Sequence, residues 1–235
     1  MSKLTLVGLP LGNIEDISLR AIKVLFSSDI ILAEDTRNYL KVKSIIKERY
    51  TSLLNILNIN IEARPELISY REQNHDKMIP KIIKLLKDGK QLSFMSDAGM
   101  PSISDPGFRL VYEVIKESFE VDVIPGPTAL ETALVISGLP TDKFSFLGFL
   151  PRQESKIKKL IISFKELDIT LIFYESPFRI IKTLNSIDKN FPGMRIVLCN
   201  DLTKKFQRIF RGKSSDLIKE LSMITLKGEW VIVLH

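Results

Sequence analysis

Cysteine and histidine are nearly missing from this chain. Cys199 stands alone among 235 residues, so no internal disulfide can form and a multi-cysteine metal site is excluded. That usage fits a reducing compartment, and a soluble, cytoplasmic protein is expected. Cys199 sits in an apolar run, which assigns it to core packing. Imidazole comes only from His75 and His235, far apart in sequence and one of them the last residue. No histidine-rich centre, and no structural metal, is predicted.

Long apolar runs are lacking too. Met1-Ser2-Lys3 passes directly into Leu4 to Val7 with no leader and cleavage pattern, so no signal peptide is expected. Thr170 to Tyr174 and Trp230 to Leu234 are of strand length, far short of the roughly 20 residues that cross a bilayer. No strand is followed by a Gly-x-x-x-x-Gly-Lys-Ser/Thr phosphate loop or a Gly-x-Gly-x-x-Gly fingerprint, which weakens ATPase and NAD readings. The glycine-rich signature of the commonest S-adenosylmethionine methyltransferase fold is absent as well.

What remains is an ordinary globular composition, 45% hydrophobic and 26% charged, long enough for two domains. Lys and Arg total 34 against 28 acids, a formal charge of +6. That balance shifts the odds modestly toward a polyanion such as RNA. The basic clusters, Lys156-Ile157-Lys158-Lys159 and Lys204-Lys205, are patches rather than tails.

Strands and amphipathic helices alternate. Leu4 to Val7, Ile30 to Ala33, Leu92 to Met95 and Val121 to Ile124 read as strands, with helices over Ser18 to Phe26, Tyr39 to Lys47, His75 to Lys87 and Phe108 to Glu117. Residues 50 to 70 are ambiguous. Pro125-Gly126-Pro127 forces a turn and Thr128 caps a helix reaching about Ser137. Strands then follow at Phe144 to Phe149, Thr170 to Tyr174, Arg195 to Cys199 and Trp230 to Leu234, separated by helices over Glu154 to Phe164, Pro177 to Ile187 and Ser214 to Leu221. This alternation predicts parallel sheets covered on both faces. The lobe boundary is placed near Val121, giving an N-terminal α/β lobe over 1–120 and a C-terminal one over 121–235.

Ligands of open α/β sheets bind beyond the carboxyl ends of the strands. Three exits there combine glycine or proline with polar residues: Leu9 to Asn13, Ser96 to Gly107, and Pro125 to Ala129. Glycines let the backbone approach a ligand, and Asp97 and Asp105 can accept from an amine or hydroxyl. Taken singly, such loops are ordinary turns with aspartate caps. Three of them argue for a ligand site.

Several segments resemble a known family in order along nearly the whole chain: Leu11-Gly12-Asn13, Ala33 to Arg37, Ser96 to Gly107, Pro125 to Ala129, Gly148 to Pro151, Phe173 to Pro177 and Leu202 to Phe206. They resemble the tetrapyrrole methylase superfamily, and within it the branch that methylates a cytidine 2′-hydroxyl of 16S rRNA in the 30S subunit. The resemblance implies two αβα lobes with S-adenosylmethionine in the cleft between them, and a homodimer. It assigns cofactor contact to Leu11, Asp97, Ala98, Gly99, Ile103, Thr128 and Ala129, with Glu175 and Leu202 from the second lobe. The chain departs from the branch at Asn200 and Asp201, where arginine and glutamate are usual, at Phe178, where histidine is common, and at Leu9, where threonine is usual.

Methylation of a ribose hydroxyl needs an aligned nucleophile and either a carboxylate to take its proton or a cation to stabilise the alkoxide. The candidates are Glu34, Asp35, Arg37, Asp105, Glu175 and Lys204. An ion pair fixing the strand exit is an equal reading for Glu34, Asp35 and Arg37, and a solvated face for Lys204-Lys205. Arg152, Lys156, Lys158, Lys159, Arg179, Lys204, Lys205, Arg208 and Arg211 form the expected RNA surface. The alternatives are a methylase of a tetrapyrrole or another small molecule, and an RNA-binding module without chemistry.

Overall fold

The computed structural model describes residues 2–60 and 62–235. The chain divides into two compact units, one ending at Pro127 and one running from Thr128 to His235. The division lies beyond the expected 120/121 boundary because the strand over 120–124 pairs with the first strand of the chain. Among the described residues no helix is long and apolar enough to cross a membrane.

The first unit contains β1 (Lys3–Val7), α1 (Leu19–Ser27), β2 (Ile30–Ala33), α2 (Thr36–Ile56), β3 (Glu66–Ser69), α3 (His75–Lys87), β4 (Leu92–Met95), α4 (Phe108–Lys116) and β5 (Glu120–Ile124). Its sheet has the order β3-β2-β4-β1-β5 and is parallel throughout. Alternation along each strand divides the core. Leu4, Leu6, Ile30, Leu32, Leu92 and Phe94 face the apolar sides of α3 and α4. Val7, Ile31, Ala33 and Met95 face α1 and α2. β2 and β4 are buried along their whole length, as strands covered on both sides must be. The ambiguous stretch resolves into the end of α2, which continues past a kink at Tyr50, and the short strand β3.

The second unit contains α5 (Ala129–Ser137), β6 (Phe144–Phe149), α6 (Glu154–Lys165), β7 (Thr170–Glu175), α7 (Ile180–Asn190), β8 (Ile196–Asn200), β9 (Arg208–Gly212), α8 (Ser214–Leu221) and β10 (Trp230–Leu234). Its sheet order is β6-β7-β10-β8-β9. The expectation of a parallel sheet fails here: β6 and β7 are parallel, but β10 runs antiparallel to β7 and β8, and β9 antiparallel to β8. The reason is connection length. Only residues 201–207 join β8 to β9, too few for a parallel crossover, which takes a dozen or more. One face of this sheet packs on α6, α7 and α8 through Phe173, Leu198, Trp230 and Ile232. The other packs on α5 through Ile172, Val197, Val231 and Cys199. Burial pushes the Cys199 thiol up to about 11, so this residue is inert packing, as its apolar surroundings predict.

Thr128 and Glu131 cap α5 reciprocally: the Glu131 amide donates to Thr128 Oγ1 at 3.4 Å, and that hydroxyl donates to the Glu131 carboxylate at 2.6 Å. Thr128→Ala is expected to cost about 1 kcal/mol. In a chain of this size that is a loss of about 2–4 °C in Tm, read by thermal denaturation.

Candidate functional site

The exits of β1, β4 and β5 are tied into one structure at the carboxyl end of the first sheet. The Gly8 amide donates to the Ile124 carbonyl at 2.9 Å. Leu9 and Gly99 exchange main-chain hydrogen bonds of 2.8 and 3.1 Å. The Gly126 amide points at the Met100 sulfur, 3.2 Å away. A Cβ placed on Gly8 would lie 2.6 Å from the Gly126 nitrogen, and one on Gly126 would lie 2.7 Å from the Gly8 carbonyl carbon. Backbone touches backbone there, so neither position admits a side chain. Leu11 packs over Gly99, its Cδ2 3.2 Å from where a Cβ would stand. Three loops that the sequence marks separately are therefore one cradle in this unit, from Leu9 and Leu11 to Pro127.

The long loop after β4 is held by its own backbone. Gly99, Ser102 and Ser104 adopt left-handed conformations, with φ of 71, 72 and 60°, and Ser96 Oγ donates to the Ala98 carbonyl at 3.0 Å. Gly107 closes the loop with φ 145°; any side chain would run into Ser102 Oγ and the Phe94 ring. Asp97 and Ile103 are exposed on this rigid frame, whereas Asp105 is half-buried.

Beside the cradle lies a pocket of about 570 Å³ lined by Glu34, Asp35, Ser69, Arg71, Gln73, Asn74 and Asp97. Its position follows from the topology. β2 connects outward to β3 while the neighbouring β4 connects across β1 to β5, so their exits diverge and leave a crevice. Arg71 Nε donates to the Glu34 carbonyl at 2.8 Å, and Asn74 braces the turn by donating to the Ser69 carbonyl at 3.0 Å and accepting from the Arg71 amide at 2.8 Å. Sequence reasoning missed Ser69, Arg71 and Asn74 as lining residues. β3 offers only Leu67 and Ile68 as an apolar signal, and without the strand its exit cannot be placed.

The two adjacent carboxyls of this pocket behave oppositely. Asp35 caps α2 through the Arg37 amide at 2.9 Å, and the Arg37 guanidinium grips it at 2.6 to 3.0 Å. These bonds hold its carboxyl down at about 2. Glu34 is pushed above the usual carboxylate range, first by burial and then by the charge of Asp97, against the opposing pull of Arg71. Environments that split two neighbouring carboxyls this way separate their roles. Asp35 and Arg37 form an ion pair at the strand exit, and Glu34 keeps a raised pKa beside it.

In the second unit, the Glu175 side chain is fully buried and consumed locally. It accepts from the Ser176 amide at 2.8 Å and Thr183 Oγ1 at 2.7 Å, and pairs with Arg179 at 3.3 Å. The Leu202 side chain packs in the α5 core. Lys204 Nζ lies 2.9 Å from Glu229 and 3.4 Å from Asp201. Burial would lower its pKa, but the two carboxylates outweigh that and raise it, leaving an ammonium already neutralised. Asp201 itself sits in a left-handed conformation against Gly228. Three of the expected RNA-surface cations are thus engaged within the unit: Arg179 also donates to the Leu150 and Pro151 carbonyls, Arg211 donates to the Ile136 and Ser137 carbonyls, and Lys204 is paired, whereas Arg208 Nε is buried without a hydrogen-bond partner.

The family model of tetrapyrrole (corrin/porphyrin) methylases matches residues 3–218. A protein of Thermotoga maritima named ribosomal RNA small subunit methyltransferase I is 42% identical over 234 residues, covering 100% of this chain and 98% of that one. Its namesake from Hydrogenobaculum is 43% identical over 235 residues, covering 99% and 95%. Among solved structures, a uroporphyrin-III C-methyltransferase from Thermus thermophilus, complexed with S-adenosylhomocysteine, superposes with a TM-score of 0.64 at 14% identity, over 99% of this chain and 97% of that one.

Proposed function

This chain belongs to the tetrapyrrole methylase family, and from that premise we propose that it is an S-adenosylmethionine-dependent methyltransferase acting on small-subunit ribosomal RNA. Its target is a cytidine 2′-hydroxyl of 16S rRNA within the 30S subunit, and it works in the cytoplasm as a homodimer. The observation that carries this reading is the glycine-built cradle at three strand exits, lying beside a carboxyl group, Glu34, whose pKa is raised.

The residues at these exits fit the cofactor. Its sulfonium and ammonium charges call for acceptors, and Glu34, Asp35 and Asp97 outnumber the single Arg71 along the pocket. Leu11 and the exposed Ile103 offer apolar surface beside Asp97, Ala98 and Gly99. Thr128 and Ala129 follow the cradle directly in the chain. In the second unit the Glu175 and Leu202 side chains are occupied, which leaves only their main-chain groups to meet a ligand. When bound, S-adenosylmethionine supplies the activated methyl group.

Glu34 takes the proton of the ribose hydroxyl onto its carboxylate. Burial, and after it the charge of Asp97, holds the Glu34 pKa up, Arg71 fixes the Glu34 main chain, and the Asp35–Arg37 pair anchors the start of α2. Asp105 stands in reserve on the substrate side. Lys204 secures the turn after β8 rather than the reacting oxygen.

Two tests address this reading. Purified protein given labelled S-adenosylmethionine is expected to pass label to unmodified 30S subunits and not to a precorrin; the reverse would assign it to tetrapyrroles. Lys205→Glu is expected to weaken 30S binding severalfold at low salt, with cofactor affinity unchanged. Lys204→Glu should lower Tm as well, because it sets a third carboxylate between Asp201 and Glu229. Equal melting of the two variants would contradict the structural role of Lys204.

A further inference from the structure

We propose that the β6, β7 and β8 exits of the second unit form an aromatic platform on which unpaired bases of the RNA substrate stack, with Phe149, Phe178 and Phe206 as the stacking residues. The inference rests on the RNA methyltransferase reading and adds the residues that position the substrate.

β6, β7 and β8 run in the same direction, so the segments following them lie at one end of the sheet. Register fixes their spacing. Phe149 stands opposite Tyr174, and Glu175 and Asn200 flank Trp230, which puts those two exits about 10 Å apart at two strand spacings. Each exit carries a phenylalanine turned to solvent: Phe149 is 57% exposed, Phe178 94% and Phe206 71%. A lone exposed apolar residue is unremarkable, but three rings on consecutive exits of one sheet end form a pattern.

The rings are mounted on braced turns. Arg179, next to Phe178, donates to the carbonyls of Leu150 and Pro151 just beyond Phe149, tying two of the exits together. Phe149 also meets Tyr174 edge to face, with ring centroids 5.8 Å apart. The Thr203 amide donates to Gln207 Oε1 at 2.7 Å, closing the turn that presents Phe206. A preorganised ring loses little entropy when a base stacks on it.

Charge selects the partner. Lys205 Nζ lies 5.5 Å above the Phe206 ring, and the exposed Arg152, Lys156 and Lys159 follow directly after the β6 exit. Aromatic rings interleaved with cations are the pattern that binds single-stranded nucleic acid, since every base has a face to stack and every nucleotide a phosphate to pair.

The test measures the KM for unmodified 30S subunits and the Kd for S-adenosylmethionine in Phe178→Leu, Phe206→Leu, the double variant, and the Phe178→Tyr and Phe206→Tyr counterparts. Leucine keeps the apolar character and removes the ring face; tyrosine keeps both. Each leucine variant is expected to raise the 30S KM roughly tenfold and the double variant further, with Tm and cofactor Kd at wild-type values. The tyrosine variants should match wild type. A double leucine variant within twofold of wild type overturns the platform while leaving the RNA reading intact. Tyrosine variants as weak as leucine, or loss of self-association with an unchanged 30S KM, overturn it too. Wild-type protein that methylates no RNA overturns both.

Discussion

Glu34→Gln is expected to slow methyl transfer by about 10²- to 10⁴-fold, the range of a single general base, without loss of fold. Two readouts separate this from a structural lesion. The first is pH. Glu34 acts only when ionised, and its pKa lies above the ordinary carboxylate value because of burial and Asp97. The wild-type rate should therefore fall on acidification through a limb lying above the usual range for glutamate, and the glutamine variant should lack that limb. The second is stability. A carboxyl whose folded pKa exceeds its unfolded one is protonated more readily in the folded state. Ionised Glu34 then costs stability above its folded pKa, and the cost declines as pH falls through that value and is gone below the unfolded pKa. The glutamine variant should melt no lower than wild type at neutral pH. A variant that is both slow and unstable would assign Glu34 a structural role.

Gly8→Ala and Gly126→Ala are expected to damage both the fold and the cofactor site. The added methyl would sit 2.6 to 2.8 Å from the other glycine's backbone, and backbone cannot rotate aside as a side chain can. The β1 and β5 exits must then separate, at about 1–3 kcal/mol for overpacking of this kind. Calorimetric cofactor affinity should fall roughly 10- to 100-fold if the displaced backbone is the contact surface, a comparable energy. Gly193→Ala is the control. Gly193 is left-handed at φ 86° with nothing near its Cβ position, so alanine there strains the turn and leaves cofactor binding unchanged. Equal cofactor affinities in all three variants would remove the cradle from the binding site.

The strand exits were legible because their signals are local. Glycine and proline announce a turn wherever they stand, and apolar runs such as Ile30 to Ala33 announce the strand before it. The elements missed lacked such signals. β3 shows two apolar residues between Glu66 and Ser69, and β9 shows only Ile209 and Phe210 between arginines. Strand direction was illegible for a different reason: β10 follows a helix like any crossover strand, and only pairing reveals that it runs antiparallel. The lobe boundary shifted because β5 belongs to β1, a contact spanning more than a hundred residues.

The choice among the candidate bases lay furthest out of reach. Glu34 and Asp35 are neighbours in sequence, and nothing local ranks them. Asp35 is committed by Arg37 two residues on, which a capping pattern can suggest. Glu34 is set apart by burial and then by Asp97 in the loop after β4, neither of which has a sequence signature. The basic surface shows the same limit, since Arg179, Lys204 and Arg211 look free in sequence and prove to be internal braces.

The most direct test is to incubate unmodified 30S subunits with wild-type protein and labelled S-adenosylmethionine, digest the RNA to nucleosides and identify the labelled product. Label is expected in 2′-O-methylcytidine at one position of 16S rRNA. Label on a base, or none in RNA while a tetrapyrrole accepts it, would contradict the assignment.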